Sequence, residues 1–462
     1  MMTKQNIFYE RAIQLFKEKN FDAAIENFKK SLSSNNENPI FVYNNISISY
    51  ILKYRTNKSQ QNLKDLDEAI SYSMKAISIN KNDFTAHNNL GLCNLIRNNF
   101  EFANNHFKKA IESNPQSKDL NLNLATVNKY LCNFEEAEYY YKKFFTMDPN
   151  DLRNRASLGE VQLSLNNFKE GWENFEFREE RRKIKAKINF SKPLWSPNLG
   201  YGRILIWGDH GIGDKVLYST IIHGLINKFK KIYLLIDKKL MKFFKENFPS
   251  IEVYDFYKDF IDLELFDFHL PISSLGKYFR HSPDDFLNNH KNFVIKSSDD
   301  FNKKNKLRCA ISWKSNAPTG SLKSVDLYKL KKILKLPEYE FYSIQYTDAE
   351  DDIKNMKKNH DIKIFQEPNL NVYDDIHSLL KFLKSCDVVL TISNTNAHLA
   401  ASLGIPTFLL LSKGPGTIWY WLNVHNNKNL WYPSLKIFQQ KDINDWSLPI
   451  NDAYESLKNL IK

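Results

Sequence analysis

Small residues and aromatics recur along the first third of the chain at a fixed interval, and that interval limits the fold more than any other feature. Ala69/Ser73/Ala76, Ala103/Phe107/Ala110 and Ala137/Tyr141/Phe144 follow one another at a step of 34 residues. The same step relates Leu90-Gly91, Leu124-Ala125 and Leu158-Gly159, as well as Pro115 and Pro149, and the phase continues to Gly171 and Phe175. An earlier copy at Ala24/Phe28/Ser31 precedes its successor by 45 residues, so a polar insertion of eleven residues is expected around 56–64. Small residues at fixed helical positions mark close helix contacts, and aromatics fill the space beside them, so the segment predicts stacked helix pairs. One pair cannot bury its own apolar face; about five stacked pairs make a continuous core and a concave groove.

This helix-turn-helix period resembles the tetratricopeptide repeat over about residues 5–180. Grooves of that kind bind peptides or dock other proteins, so a protein or peptide partner is expected there. An array that only stiffens or oligomerises the chain is the alternative.

After Pro193 the helical period gives way to short β-rich runs, glycine-containing loops and amphipathic helices. The runs at 203–207 (RILIW), 232–237 (IYLLID), 308–313 (RCAISW), 340–345 (EFYSIQ), 388–393 (VVLTIS) and 407–411 (TFLLL) read as buried strands. Their alternation with helices argues for parallel sheets. A polar segment at 279–306 divides the region, which predicts two Rossmann-like subdomains facing one cleft. The fold class is thus α + α/β: a repeat array over 1–180, a linker over 181–200, a first subdomain over 201–300, and a second over 301–462 that ends in a helix.

Sheets of this type bind ligands beyond the carboxyl ends of their strands, where helix N-termini favour anions. The loops at 208–214, 314–321, 394–398 and 412–421 are therefore the informative ones. In GDHGIGD (208–214) Asp214 stands where a P-loop needs lysine, and Val216 stands where a dinucleotide fingerprint needs its third glycine. Asp237, at the end of the second run, keeps a nicotinamide-dependent oxidoreductase open as a reading. Gly208, Gly211 and Gly213 let the backbone come close to a neighbour, with His210 between them. Asp214 falls at a helix start, where it is either a plain N-cap or a functional carboxylate. In the segment TISNTNAHLAASLGIP, Thr395 is the expected cap, Gly404 suits the C′ position, and His398 falls one turn inside the helix. A satisfied core histidine is the plain alternative for His398.

Composition narrows the classes further. The chain has 462 residues, 42% of them hydrophobic, which excludes wholesale disorder and a single small module. It has no apolar run of membrane-spanning length and no signal-peptide core at its start, so a cytoplasmic location is the expectation. The net charge of +12 permits attraction to nucleic acid, anionic lipid or phosphorylated substrates. The basic run at 178–187 also holds acids and reads as a solvated helix end. With no nucleic-acid signature, no nucleic-acid partner is expected, while peripheral contact with a membrane stays open. Cys93, Cys132, Cys309 and Cys386 are scattered and read as buried free thiols without a zinc site.

Residues 193–446 resemble glycosyltransferase family 9, the heptosyltransferase type, and in particular the bacterial proteins that append such a domain to tetratricopeptide repeats. The resemblance rests on an ordered set: Gly171-Trp172 with Phe177-Arg178, Pro193-Leu194-Trp195, GDHGIGD (208–214), ISWKSNAP (311–318), SIQ (343–345), the segment 386–411, LWYPSLKIFQQ (430–440) and Asp445-Trp446. It implies a GT-B architecture in which the first lobe holds the acceptor and the second a nucleotide-sugar, used as co-substrate without a metal or other cofactor. Transfer would be inverting, to an acceptor hydroxyl. It further implies that Asp214 is the general base, with Gly208, His210, Gly211 and Gly213 on the acceptor side. Lys314, Ser315 and Asn316, together with Asn394, Thr395 and His398, would hold the donor. The terminal helix near 450–461 would pack back toward the first lobe. Three positions differ from the family pattern: Asn394-Thr395 stands for Asp-Thr, Trp419-Tyr420-Trp421 for Trp-Arg-Trp, and Lys323-Ser324 for Arg-Ser. A non-catalytic scaffold with a degenerate transferase domain is therefore the alternative function.

Overall fold

The repeat phase becomes antiparallel helix pairs in a computed structural model that describes residues 4–33, 38–56, 63–178, 191–258, 261–288, 290–296, 306–317 and 319–461. Most of the insertion at 56–64, the basic run beyond Arg178, half of the 181–200 linker, and Pro318 lie outside the described residues. The chain divides into two compact units, 1–151 and 152–462.

The first unit is α1 (Lys4–Lys17), α2 (Phe21–Leu32), α3 (Pro39–Thr56), α4 (Leu63–Ile79), α5 (Phe84–Ile96), α6 (Phe100–Ser113), α7 (Lys118–Tyr130) and α8 (Phe134–Met147), packed as four consecutive pairs. The periodic residues are its helix contacts: Ala24, Ala69, Ala103 and Ala137 are fully buried, as are Phe28 and Phe107. A Cβ on Gly91 would fall 2.4 Å from the Phe107 ring, so that repeat position has to stay small. The described turns inside three of the pairs share one device. Lys19, Asn98 and Cys132 take left-handed φ values of 61–62°. The next amide, at Asn20, Asn99 or Asn133, reaches back 2.9 Å to the carbonyl of Leu15, Asn94 or Asn128. This is a Schellman ending, which satisfies the last carbonyls of each leading helix and reverses the chain.

The second unit begins with α9 (Arg155–Ser164) and α10 (Phe168–Phe175), joined by the same turn at Asn166. The period extends the array to 180, yet this fifth pair belongs by packing with the α/β region. Trp172 of α10 is fully buried and donates 2.7 Å to the Arg280 carbonyl.

A four-stranded, all-parallel sheet follows, in the order β3-β2-β1-β4. In chain order its elements are β1 (Arg203–Trp207), α11 (Ile212–Ser219), β2 (Lys231–Ile236), α12 (Lys238–Asn247), β3 (Glu252–Asp255), β4 (Phe268–Pro271), α13 (Leu275–Phe279) and α14 (Pro283–Leu287). A Cβ on Gly276 of α13 would stand 2.3 Å from the Trp172 ring, so this glycine is the socket for the tryptophan. The stretch read as a polar divider carries Phe286, Phe293 and Ile295 into the core, and Phe293 donates 2.8 Å to the Ser402 carbonyl. Leu287 and Val294 beside them stay exposed.

The second lobe contains β5 (Leu307–Ile311), α15 (Gly320–Lys323), α16 (Lys331–Leu334), β6 (Tyr339–Ser343), α17 (Glu350–His360), α18 (Ile376–Lys384), β7 (Val388–Ile392), α19 (Thr395–Ser402), β8 (Thr407–Leu411), α20 (Trp419–Leu422), β9 (Val424–His425), β10 (Lys428–Asn429), β11 (Leu435–Gln439) and α21 (Ser447–Asn459). Its main sheet, β11-β8-β7-β5-β6, is parallel throughout. Every residue of β7 and β8 is buried, as expected of strands covered on both faces. The terminal helix does not return to the first lobe: Ile450, Ala453 and Leu457 of α21 pack in the second lobe's own core, and Tyr339 donates 2.8 Å to the Leu457 carbonyl. One continuous core joins both lobes and α10, with Trp172 and Trp419 edge to face at 5.3 Å and Trp419 and Trp431 at 6.1 Å.

Candidate functional site

A cavity of about 410 Å³ opens between the lobes, at the carboxyl ends of β2 and β7. Ile212, Lys238 and Thr395, the first residues of α11, α12 and α19, all line it, together with Tyr257, Tyr346 and Tyr373. Three helix starts therefore converge on one space. The caps Gly211 and Asp237 give no side-chain hydrogen bond to the starts of α11 and α12. Such ends present unsatisfied N–H groups and positive potential, which suits an anion, and the size and aromatic lining suit a small organic ligand. Asp237, which kept the nicotinamide reading open, is held in an ion pair by buried Lys215.

Of the expected site residues, Thr395 lines this cavity, and Asp214 lies two residues into α11 from Ile212. Gly211 is the N-cap, so Asp214 is the third helical residue and not the cap. The Tyr420 hydroxyl donates 3.0 Å to Asp214 Oδ1 across the lobes. Behind it, His398 Nε2 lies 3.3 Å from the Tyr420 hydroxyl and His398 Nδ1 lies 3.2 Å from the Tyr432 hydroxyl. With the Tyr420 hydroxyl donating to Asp214, one assignment satisfies the chain: Nε2–H donates to Tyr420 and Tyr432 donates to Nδ1. Burial brings the His398 pKa down to about 4, with Lys323 acting the same way and Asp214 opposing. His398 is thus a neutral support behind Asp214, with both ring nitrogens engaged, and not a group turned to a diphosphate. Lys323 is buried beside the same carboxylate; burial lowers its pKa and Asp214 opposes the shift.

The glycines serve this packing. A Cβ on Gly213 would meet His398 Cδ2 at 2.5 Å, and one on Gly208 would meet Lys215 Cε at 2.7 Å. The close approach expected of them is to protein, not ligand. His210 lies on the other side of the loop, its Nδ1 3.1 Å from Asp209 Oδ2. Ser273 donates to Asp209 at 2.5 Å through its hydroxyl, and Arg178 Nε stands at 3.8 Å. Burial works against the Asp209 charge, yet His210, Arg178 and Ser273 hold its carboxyl well below the usual range. The loop is thereby fixed to the segment that follows α10.

On the second lobe Asn394, not Thr395, caps α19: its Oδ1 accepts from Asn396 N at 3.0 Å and Ala397 N at 3.4 Å, while its Nδ2 donates 3.0 Å to Ser312. Asparagine and threonine both cap well, so a one-residue offset decided the matter. Lys314 is half-exposed and paired with Asp352 at 2.5 Å, which also accepts from the Trp313 indole at 2.8 Å. Gln345 grips the Trp313 and Lys314 amides at 2.9 Å each. The Ser315 amide donates 3.0 Å to Ser324, and Asn316 is exposed. Sequence reasoning missed Tyr420, Tyr432 and Asp209 as site residues; the hydroxyl at the centre of Trp-Tyr-Trp was the available signal for Tyr420. Among the described residues no cluster of three or more His, Cys, Asp or Glu side chains has metal-binding geometry. No helix there is long and apolar enough to cross a membrane.

In sequence, residues 58–83 match the tetratricopeptide repeat family. Protein FlbA of Caulobacter vibrioides is 22% identical over 332 residues, which cover 63% of this chain and 52% of FlbA. The chain thus spans about half the length of that curated relative. Among solved structures, MamA from Desulfovibrio magneticus RS-1 is 16% identical, covering 40% of this chain and 99% of its own at a TM-score of 0.33. A thermophilic tetratricopeptide protein, TTC0263 of Thermus thermophilus, is 19% identical, covering 34% and 99% at 0.26. Repeats of this type indicate protein interaction.

Proposed function

We propose that the second unit is a glycosyltransferase of the two-lobed GT-B type, similar to glycosyltransferase family 9, and that the repeats recruit its protein acceptor. The observation that carries this reading is the convergence of three helix starts on one tyrosine- and lysine-lined cavity between two parallel sheets. A nucleotide-sugar asks for such a place: N–H groups for the diphosphate, aromatic faces for the base, and room for the sugar. In the reaction an acceptor oxygen attacks the anomeric carbon, the bond from that carbon to the diphosphate breaks, and the acceptor proton passes to Asp214. The leaving diphosphate keeps the bonding electrons and is met by the uncapped starts of α11 and α12. Tyr420 holds the carboxylate in place.

A panel of UDP-, GDP-, ADP- and CMP-sugars tests the reading by thermal shift. One nucleotide class is expected to raise Tm in proportion to occupancy, while NAD(P) does not. Absence of any shift at concentrations of about 1 mM overturns it in favour of a scaffold. That second reading draws on a specific observation: Asn394, His398 and Lys314 are all engaged by the protein itself.

A further inference from the structure

We propose that a lysine groove along α12 binds an acidic segment of the polypeptide acceptor and holds it beside the cavity. The groove, of about 600 Å³, is lined by Lys238, Lys242, Lys245 and Lys296 over the apolar Met241 and Pro249. Lys238 lines both the groove and the cavity, so the two spaces meet at the first turn of α12. The groove's acid, Glu246, is turned to His377 of α18, 2.7 Å away. None of the four lysines reaches an acid at ion-pair distance among the described residues, in contrast to Lys239, which is paired with Asp374 at 2.9 Å. Lys296 is held there by its own segment: Asn247 at the end of α12 exchanges hydrogen bonds of 2.9 and 2.7 Å with the backbone of Val294.

Four ammonium groups brought together with only Glu246 in the lining and Asp375 facing Lys242 as carboxylates among the described residues repel one another, and an anionic occupant relieves that repulsion. Their spacing points to an extended peptide. Lys238, Lys242 and Lys245 are four and three residues apart on one helix face, so the outer pair spans about 10 Å. In an extended chain, residues on one face recur about every 6.8 Å, so acidic side chains on that face fall within reach of successive lysines. The repeats, which indicate protein interaction, favour a polypeptide over other polyanions. The acceptor role rests on the transferase reading of the cavity, whereas binding in the groove is read by itself.

Fluorescence anisotropy with a labelled peptide alternating Glu and Ser tests the groove on the full chain, with the Gln-for-Glu peptide as control. The acidic peptide is expected to bind, the neutral one not, and added salt to weaken the complex. K242E/K245E should weaken binding about tenfold or more, while K242R/K245R keeps it, which separates charge from folding. Equal binding to wild type and K242E/K245E overturns the proposal, as does binding of phosphatidylglycerol vesicles with none of the peptide. Absence of peptide binding to the wild-type chain with sugar-nucleotide stabilisation intact removes the groove alone; the reverse result removes the transferase reading and leaves the groove.

Discussion

Asp214 is the residue on which the chemistry turns, and its place at the third helical position separates two roles that the sequence left joined. An N-cap loses its bond on substitution, but here Gly211 is the cap, so Asp214→Asn keeps an oxygen for the Tyr420 hydroxyl and gives up its charge. The charge carries a helix-dipole interaction of about 0.3–1 kcal/mol, the charge assistance of the Tyr420 bond and the attraction to buried Lys323. Transfer is expected to fall about 10²–10⁴-fold with donor binding intact. Activity within about threefold of wild type would remove Asp214 as the base. His398 makes a second prediction. Its folded pKa of about 4 lies below the unfolded value near 6.5, so between those limits the unfolded chain binds more protons. The stability it contributes is therefore complete above the unfolded value and is lost as pH falls toward 4. Between pH 7 and 5 the loss is about 2 kcal/mol in urea unfolding. Burial takes His223 to about 4 as well, so His398→Gln should make the decline shallower without abolishing it; an unchanged slope refutes the assignment. Sequence located these residues but not their partners, because Tyr420 and Tyr432 reach Asp214 and His398 across folds of the chain that local spacing does not encode.

At the scale of elements, the left-handed turn is the clearest case of a repeated device with two weak copies, at Lys19 and Cys132. Asn98 and Asn166 fill it in two repeats, while Cys132, with φ 61°, fills it in the repeat between them. Asparagine tolerates that conformation better, so Cys132→Asn should stabilise the first unit by about 0.5–1 kcal/mol, read as a higher urea midpoint. A lower midpoint would show that unseen contacts of the thiol outweigh the backbone. The six hydrophobic runs became strands within a residue or two, because continuous burial selects Val, Ile and Leu over their whole length. β3, β4 and β11 were not foreseen: EVYD and FHLP are four residues long, and LKIFQ buries only Leu435 and Phe438 fully. The hairpin at β9 and β10 turns on Asn426 and Asn427, both with positive φ, a signal the sequence did carry. For α21 an apolar face announced that the helix packs, but not onto which sheet.

At the scale of the molecule, period and packing draw different boundaries. The repeat phase runs through α10, yet the compact units part at Asp151, since Asn423 donates 2.6 Å to the Leu163 carbonyl and Trp172 fills the Gly276 socket. A chain beginning at Leu152 is expected to fold with cooperative unfolding. One beginning at residue 179 loses the buried Trp172, which alone costs about 3–5 kcal/mol, a large part of the 5–15 kcal/mol typical of a domain. Equal stability of the two shortened chains would show that the fifth pair is dispensable to the lobes. The tryptophan cluster has an optical consequence. All eight tryptophans occur at or after position 172, within the second unit. Indole emission from the intact chain therefore follows the lobes alone, while far-ultraviolet dichroism sums the helices of both units, and any gap between the two signals on heating measures how independently the units melt.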